Sequence, residues 1–98
     1  MSDPFQAKVL DAIRARSAAA RAQGVELIGV IGSVARGEAQ DQSDVDIAYG
    51  VVGKATLFGL GGILMDLQDD LGRRVDMVDL SQVKPRLRAI LERDLVRA

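Results

Sequence analysis

Apolar and polar positions along the chain change period several times, and the changes predict elements in the order α-β-α-β-α-β-α. Helical spacing of apolar residues predicts a first helix over residues 4–23, with Asp3 as its N-cap. A nearly continuous, β-branched run at residues 25–31 predicts a buried central strand. A brief helix is expected at 33–37, and the polar, turn-forming residues 38–43 predict an exposed loop.

The second half of the chain predicts two further strands, at residues 44–51 and 73–79, with a helix between them. Leucines at steps of three and four residues place this helix at 56–71. Three glycines lie inside it, although each costs about 1 kcal/mol relative to alanine in a helix interior. The helix is therefore expected either to begin late or to let another backbone come close. The glycines are Gly59, Gly61 and Gly62.

A last helix is predicted to begin at Pro85 and to carry one apolar stripe. We expect the stripe to belong to the core, with a partner surface as the alternative. Its residues are Leu87, Ile90, Leu91 and Leu95. Together the elements predict an α/β (α+β) fold in which helices pack against a small sheet.

Composition narrows the kinds of site that such a fold could hold. The 98 residues suit one domain, 1–98, with a mainly aliphatic core because only three aromatic residues are present. Since the chain contains neither cysteine nor histidine, disulfides, zinc ribbons, thiol nucleophiles and imidazole catalysis are excluded. Carboxylates, hydroxyls, lysine and arginine remain for chemistry.

Charge and hydropathy bear on partners and location. The formal net charge is -1 and no basic cluster dominates a segment, so direct nucleic-acid binding is not expected. No apolar run approaches the roughly 18 residues that span a bilayer, and residues 1–4 lack a signal-peptide pattern. We therefore expect a cytoplasmic protein with no membrane partner.

A site for a phosphate-sized anion is predicted where Gly32 and Ser33 follow the first strand. Backbone N–H groups at the start of a helix point toward solvent, where they favour an anion, and Ser33 adds a hydroxyl donor. Taken alone, a Gly-Ser pair in this place more often marks only a turn with an N-cap.

Asp44 and Asp46 strengthen the case for a phosphate site. They lie two residues apart on a predicted strand, so their side chains should leave the same face. Two such charges repel unless a cation lies between them, and Mg²⁺ prefers carboxylate oxygens. A solvated strand edge is the alternative, but the apolar neighbours of Asp46 suggest burial that needs compensation.

Asp76 similarly interrupts the third predicted strand. If that strand lies beside the second, Asp76 completes a three-carboxylate cluster suited to two-metal phosphoryl or nucleotidyl transfer. Asp44 and Asp46 would hold both metals, and Asp76 would bind one metal and take the proton from an attacking hydroxyl. Alternatively, Asp76 pairs with the arginines at 73–74. Asp79 is a rival base, although its position favours a helix cap.

Two other side chains near the motif are open to interpretation. Arg36 could contact nucleotide phosphates, or it could pair with Glu38 or Asp41 to hold the loop. Tyr49 is the only tyrosine, and strand alternation places it on the face opposite Asp46, which favours packing over catalysis.

The joined motif resembles that of the nucleotidyltransferase superfamily of DNA polymerase β. Gly32-Ser33 is followed after ten residues by Asp44-x-Asp46, with Val75-Asp76 on a later strand. The runs G-S-V-A-R-G-E and S-D-V-D-I are similar to those of the minimal nucleotidyltransferases, or MntA-like proteins. The resemblance covers nearly the whole chain, with no departure from the motif.

The resemblance implies a mixed-sheet core, ATP as substrate with two Mg²⁺ ions, and transfer of AMP to a hydroxyl. By resemblance, Gly32 and Ser33 would hold the triphosphate, Asp44 and Asp46 the metals, and Asp76 a metal and the acceptor hydroxyl. Small relatives are commonly antitoxins that adenylylate a tyrosine of a HEPN-domain toxin of HepT type.

A chain this small is expected to need help in enclosing a nucleotide. Larger relatives carry extra domains, whereas a domain with a radius of gyration of about 13 Å has little surface for a pocket. The toxin is the natural candidate to complete the site, and self-association is left open. A non-catalytic antitoxin that blocks its partner by contact, or transfer to a small molecule, are the alternatives.

Overall fold

A four-stranded mixed sheet organises the protein, which a computed structural model describes over residues 3–98. The strands are β1 (Val25–Ile31), β2 (Val45–Val51), β3 (Val75–Asp79) and β4 (Val96–Arg97), in the sheet order β3-β2-β1-β4. The helices are α1 (Pro4–Ala22), α2 (Gly32–Ala35), α3 (Leu57–Leu71) and α4 (Pro85–Asp94), with a 3₁₀ turn at Leu80–Gln82. β2 runs antiparallel to β1 and parallel to β3, so the predicted fold is confirmed.

The ends of the long helices follow the capping residues of the sequence. The Asp3 carboxylate accepts hydrogen bonds from the backbone N–H groups of Phe5 and Gln6 at the start of α1. Thr56 caps α3, and Gly72 ends it in the left-handed conformation with φ of 62°. The part of the signal-peptide prediction that concerns Met1 and Ser2 falls outside the described residues.

The three glycines of α3 do not delay the start of that helix. A Cβ atom at Gly59 would lie 2.8 Å from the Gln23 Oε1 atom, so a side-chain amide, and not another backbone, comes close there. A Cβ atom at Gly61 or Gly62 would meet nothing within 4 Å. Neither expected explanation therefore accounts for the latter two glycines within residues 3–98.

β4 was not predicted, because two residues are too few to show an alternating pattern. It forms by pairing with Gly29 and Val30 of β1. The absence of a side chain at Gly29 permits this approach, since a Cβ atom there would collide with the backbone carbonyl of Val96.

The sheet has apolar clusters on both faces. The main cluster lies between the sheet and helices α1 and α3, and its fully buried members include Ile13, Ile47 and Leu67. A smaller cluster on the other face contains Ile31, Ala48 and Leu80, with Leu91 and Leu95 packed against it. A bulge between Leu27 and Gly29 shifts the register of β1, so that Leu27 and Val30, three positions apart, both contribute to the main cluster.

The expectation that the apolar stripe of α4 is core is wrong for half of it. No residue of α4 is fully buried, and Leu87 and Ile90 are 51% and 48% exposed. The reason is geometric: α4 meets the sheet only through the small cluster, which is filled by Leu91 and the following Leu95. Across the described range, none of the helices is both long and apolar enough to cross a membrane.

Candidate functional site

Asp46 and Asp76 are direct neighbours on the parallel strands β2 and β3. Adjacent strands lie about 4.8 Å apart, and residues in register on parallel strands point to the same face. Asp46 alternates with Val45 and Ile47 of the main cluster, so both carboxylates project from the opposite face of the sheet. The condition set for Asp76, that its strand lie beside the second, is therefore met.

Asp44 is exposed and precedes β2, so its predicted place on the strand is wrong. The strand begins at Val45, whose backbone N–H donates to the carbonyl of Arg74 at the start of the neighbouring strand. Asp44 thus comes from the end of a loop. It still lies near enough for its charge to act on Asp46.

The pKa of the Asp46 carboxyl group is shifted from its ordinary value. Partial burial raises the pKa of Asp46, and the negative charges of Asp76 and Asp44 raise it further. The guanidinium of Arg36 acts in the opposite sense and lowers it. The charge of Asp46 is therefore only partly compensated by the chain's own groups.

Gly32 brings the turn between β1 and α2 against Asp46. Its φ is +71°, a conformation that residues with side chains rarely adopt. A Cβ atom at this position would also collide with the Asp46 Oδ2 atom. The backbone of the predicted phosphate turn and the carboxylate of Asp46 are thus immediate neighbours.

The helix that follows this turn is shorter than predicted. α2 has four residues, so its dipole contributes little, and the donors left for an anion are backbone N–H groups and the half-buried Ser33 hydroxyl. The side-chain amide of Gln6 on α1 donates to the carbonyls of Val34 and Ala35, at 3.2 and 3.1 Å. These bonds hold the end of α2, a role for Gln6 that no local pattern indicated.

Arg36 makes two ion pairs. Its Nε atom lies 3.1 Å from the Glu38 Oε2 atom, and its Nη1 atom lies 3.2 Å from the Asp94 Oδ2 atom at the end of α4. Pairing with Glu38 was one of the expected alternatives, whereas Asp41 is not a partner in the described chain. Asp94 was missed, because no sequence pattern links residues 58 positions apart.

Arg73 supports the loop that ends at Asp44. Its guanidinium donates to the backbone carbonyls of Gln40 and Ser43 and lies over the ring of Phe5, 4.3 Å from its centroid. Within residues 3–98, Asp76 forms an ion pair with neither Arg73 nor its neighbour. The alternative that Asp76 serves a strand-end ion pair is therefore not supported.

The two remaining candidates lie outside the cluster. Asp79 accepts hydrogen bonds from the backbone N–H and the hydroxyl of Ser81, at 2.9 and 2.7 Å, and so caps the 3₁₀ turn as expected. Tyr49 belongs to the main cluster on the face opposite Asp46. Its burial raises the pKa of the phenol, with a further contribution from Asp79.

The donor set of Asp44, Asp46 and Asp76 suits a divalent cation in chemistry and charge. Hard carboxylate oxygens are the ligands that Mg²⁺ prefers, and a cation would relieve the repulsion at Asp46. The set is not preassembled, since nowhere between residues 3 and 98 are three or more acidic side chains grouped tightly enough to hold an ion. Asp44, on its loop, is the member least fixed by a strand.

A sequence model described as "Polymerase beta, Nucleotidyltransferase" matches residues 15–94, a range that contains the whole cluster and the Gly32 turn. The chain belongs to this nucleotidyltransferase family. The protein adenylyltransferase MntA of Thermococcus cleftensis is 38% identical to it over 73 residues, or 74% of either chain.

A solved structure agrees with this assignment, and a second one shares the fold. One assigned as a minimal nucleotidyltransferase matches with a TM-score of 0.70 at 35% identity, over 89% of this chain and 93% of that one. A crystal structure of a toxin–antitoxin with AMP-PNP matches with a TM-score of 0.59 at 24% identity, over 84% of this chain and 62% of that one. The second likeness bears on the fold alone. The chain is thus an MNT-like member of the superfamily.

Substitution of Gly32 by alanine should destabilise the nucleotidyltransferase by about 1–3 kcal/mol, because it strains the backbone and forces Asp46 to move. Urea unfolding measures the change. Gly53→Ala is the matched control, since a Cβ atom there meets nothing within 4 Å, and it should shift stability by less than about 0.5 kcal/mol. Equal effects of the two substitutions would contradict the proposed contact.

Asp46→Asn should stabilise the metal-free chain at neutral pH. A carboxyl group whose folded pKa is raised weakens the fold as pH rises from the ordinary value of 3.8 through the raised value. The gain from Asp46→Asn should therefore shrink as the pH is lowered toward 4. Unfolding in the presence of a chelator at several pH values measures it, and a variant less stable than the parent at pH 7 would refute the claim.

Proposed function

We propose that the chain transfers AMP from ATP, with Mg²⁺, to a tyrosine hydroxyl of a HEPN-type toxin, and so acts as the antitoxin of a type VII-like pair. The observation that carries the proposal is the in-register pair Asp46–Asp76 beside the Gly32 turn, in a chain of the nucleotidyltransferase family. The names of two similar proteins support it. One is a protein adenylyltransferase, and the other is a toxin–antitoxin crystallised with an ATP analogue.

Each residue of the cluster has a role suited to its position. Asp44, Asp46 and Asp76 would hold Mg²⁺, which neutralises phosphate charge and orients the reacting groups. Gly32 lets the backbone of the turn lie against Asp46, so backbone N–H groups of the turn would bind the triphosphate beside the metal ligands, and Ser33 would add a hydroxyl donor. Arg36, whose positive charge already reaches Asp46, would contact phosphate oxygens.

In this proposal Asp76 would receive the proton of an acceptor hydroxyl that another protein supplies. Asp76 is exposed on β3, an edge strand of the sheet formed by residues 3–98, so an incoming chain could reach its carboxylate. The acceptor oxygen would bond to the α-phosphorus as the bond to the β-phosphate breaks, with pyrophosphate leaving. The hydroxyl proton would pass to the Asp76 carboxylate.

The open setting of the cluster favours a protein acceptor over a small molecule. Asp44 and Asp76 are both exposed, and the chain has a radius of gyration of only 12.7 Å. Two surface grooves border α3, on the other side of the sheet from the carboxylates. A small acceptor would therefore find little enclosure, whereas a toxin docked on this face would supply the missing wall.

The chain incubated with ATP, Mg²⁺ and a HEPN-type toxin encoded beside it should add an adenylyl group to a tyrosine of that toxin. Asp46→Asn and Asp76→Asn should each slow transfer by at least about 10²-fold, because each removes a carboxylate from the reacting centre. Intact-protein and peptide mass spectrometry measure the addition. Asp79→Asn is the matched control, since that carboxylate only caps a turn, and it should retain activity.

A contact-only antitoxin is the competing interpretation, and it is favoured by the absence of a preassembled metal cage in residues 3–98. It predicts that the double substitution Asp44→Ala and Asp46→Ala still silences the toxin in cells. Neutralisation by this variant, with no adenylyl group on the toxin treated with the parent chain, would overturn the enzymatic proposal.

A further inference from the structure

The outward face of α3 carries large apolar side chains that nothing in residues 3–98 covers. Phe58 is 94% exposed, Leu57 is 89% exposed and Met65 is 64% exposed. With Gly61 and Gly62 they line a shallow groove of about 460 Å³. An exposed apolar surface of this kind on a small protein is typical of an interaction site.

The spacing of these residues makes one continuous stripe. Phe58, Gly61, Gly62 and Met65 follow each other at steps of three, one and three residues, which places them on one side of the helix. The two glycines in the middle leave the helix backbone bare, since a Cβ atom at either would meet nothing within 4 Å. Glycine is unfavourable in a helix interior, so a bare surface here suggests close approach by another helix.

We propose that a second copy of the chain covers this face, with the two α3 helices packed antiparallel about a twofold axis between Gly61 and Gly62. The stripe is self-complementary: reversal about its centre exchanges Phe58 with Met65 and one glycine with the other. The ring of Phe58 would then lie over the glycines and against the thioether of the second copy's Met65, a favourable sulfur–aromatic contact.

Charges beyond the ends of the stripe fit the same pairing. In this antiparallel packing Asp69, in the last turn of α3, would approach the start of the second copy's α3, and Lys54 lies three residues before that start. Both side chains are exposed, and neither takes part in an ion pair within residues 3–98. Asp69 would additionally approach the positive N-terminal end of the other α3 helix. The chain therefore offers both charges needed to fix an antiparallel register.

The size of the patch indicates a moderate affinity. A fully exposed aromatic side chain presents on the order of 200 Å², so the stripe supplies several hundred Å² per copy. A standard stable interface needs about 800 Å² from each partner. The stripe supplies less than this area, so we expect the dimer to form reversibly, with its population depending on protein concentration. It would leave the carboxylate cluster accessible in both copies, because α3 and the cluster lie on opposite faces of the sheet.

Light scattering coupled to gel filtration tests the proposal with the full chain over a range of concentrations. The average mass of the parent chain should rise toward twice that of a monomer. Gly61→Leu and Phe58→Asp should each raise the dissociation constant at least tenfold, while Leu87→Asp, at a half-exposed position of α4, should leave it unchanged. Circular dichroism confirms that the variants fold.

A charge exchange tests the antiparallel register itself. Lys54→Glu and Asp69→Lys should each weaken self-association, and the double variant should restore it. A parent chain that stays monomeric at every concentration would overturn the proposal. A dimer whose dissociation constant is unchanged by Phe58→Asp would overturn it as well. So would a monomeric chain in which Phe58→Asp instead abolishes toxin binding, because the face would then belong to the toxin.

Discussion

The repulsion between carboxylates on adjacent parallel strands is the constraint around which this nucleotidyltransferase is arranged. Backbone pairing of β2 with β3 places Asp46 next to Asp76, and the Gly32 turn closes against Asp46 from the other side. Burial of Asp46 makes its charge costly, and Arg36 offsets only part of that cost. The fold therefore holds an unfavourable negative charge that a bound cation would relieve, as expected of a functional site.

Local patterns predicted the parts of this site that depend on one segment of chain. Apolar runs predicted β1 and β2. The interruption of the apolar pattern of β3 by Asp76 indicated a functional polar residue. Capping chemistry correctly separated Asp79 from the cluster. These signals work because period, burial and capping are properties of consecutive residues.

The features that sequence reasoning missed depend on contacts between distant segments. The ion pair from Arg36 to Asp94 and the bonds from Arg73 that hold the loop before Asp44 have no signature in their own neighbourhoods. β4 exists only because Gly29 admits it. Asp44 was misplaced on the strand for a related reason, since its alternation with Asp46 gives no information about where strand pairing begins.

The two faces of the sheet carry different features of the molecule. One face carries the carboxylates and the small apolar cluster to which Leu91 of α4 attaches, while Leu87 and Ile90 of the same helix remain half exposed. The other face is sealed by α1 and α3, and α3 turns its own apolar stripe outward. Contacts on the α3 face can therefore change without directly altering the carboxylate cluster on the other face.

Calorimetric titration of the chain with AMP-PNP, in the presence and absence of Mg²⁺, tests the central claim most directly. The account predicts binding that requires Mg²⁺ and that is lost in Asp46→Asn, because the carboxylate cluster joins nucleotide and protein through the cation. Binding of equal strength without Mg²⁺, or unchanged binding by Asp46→Asn, would contradict it.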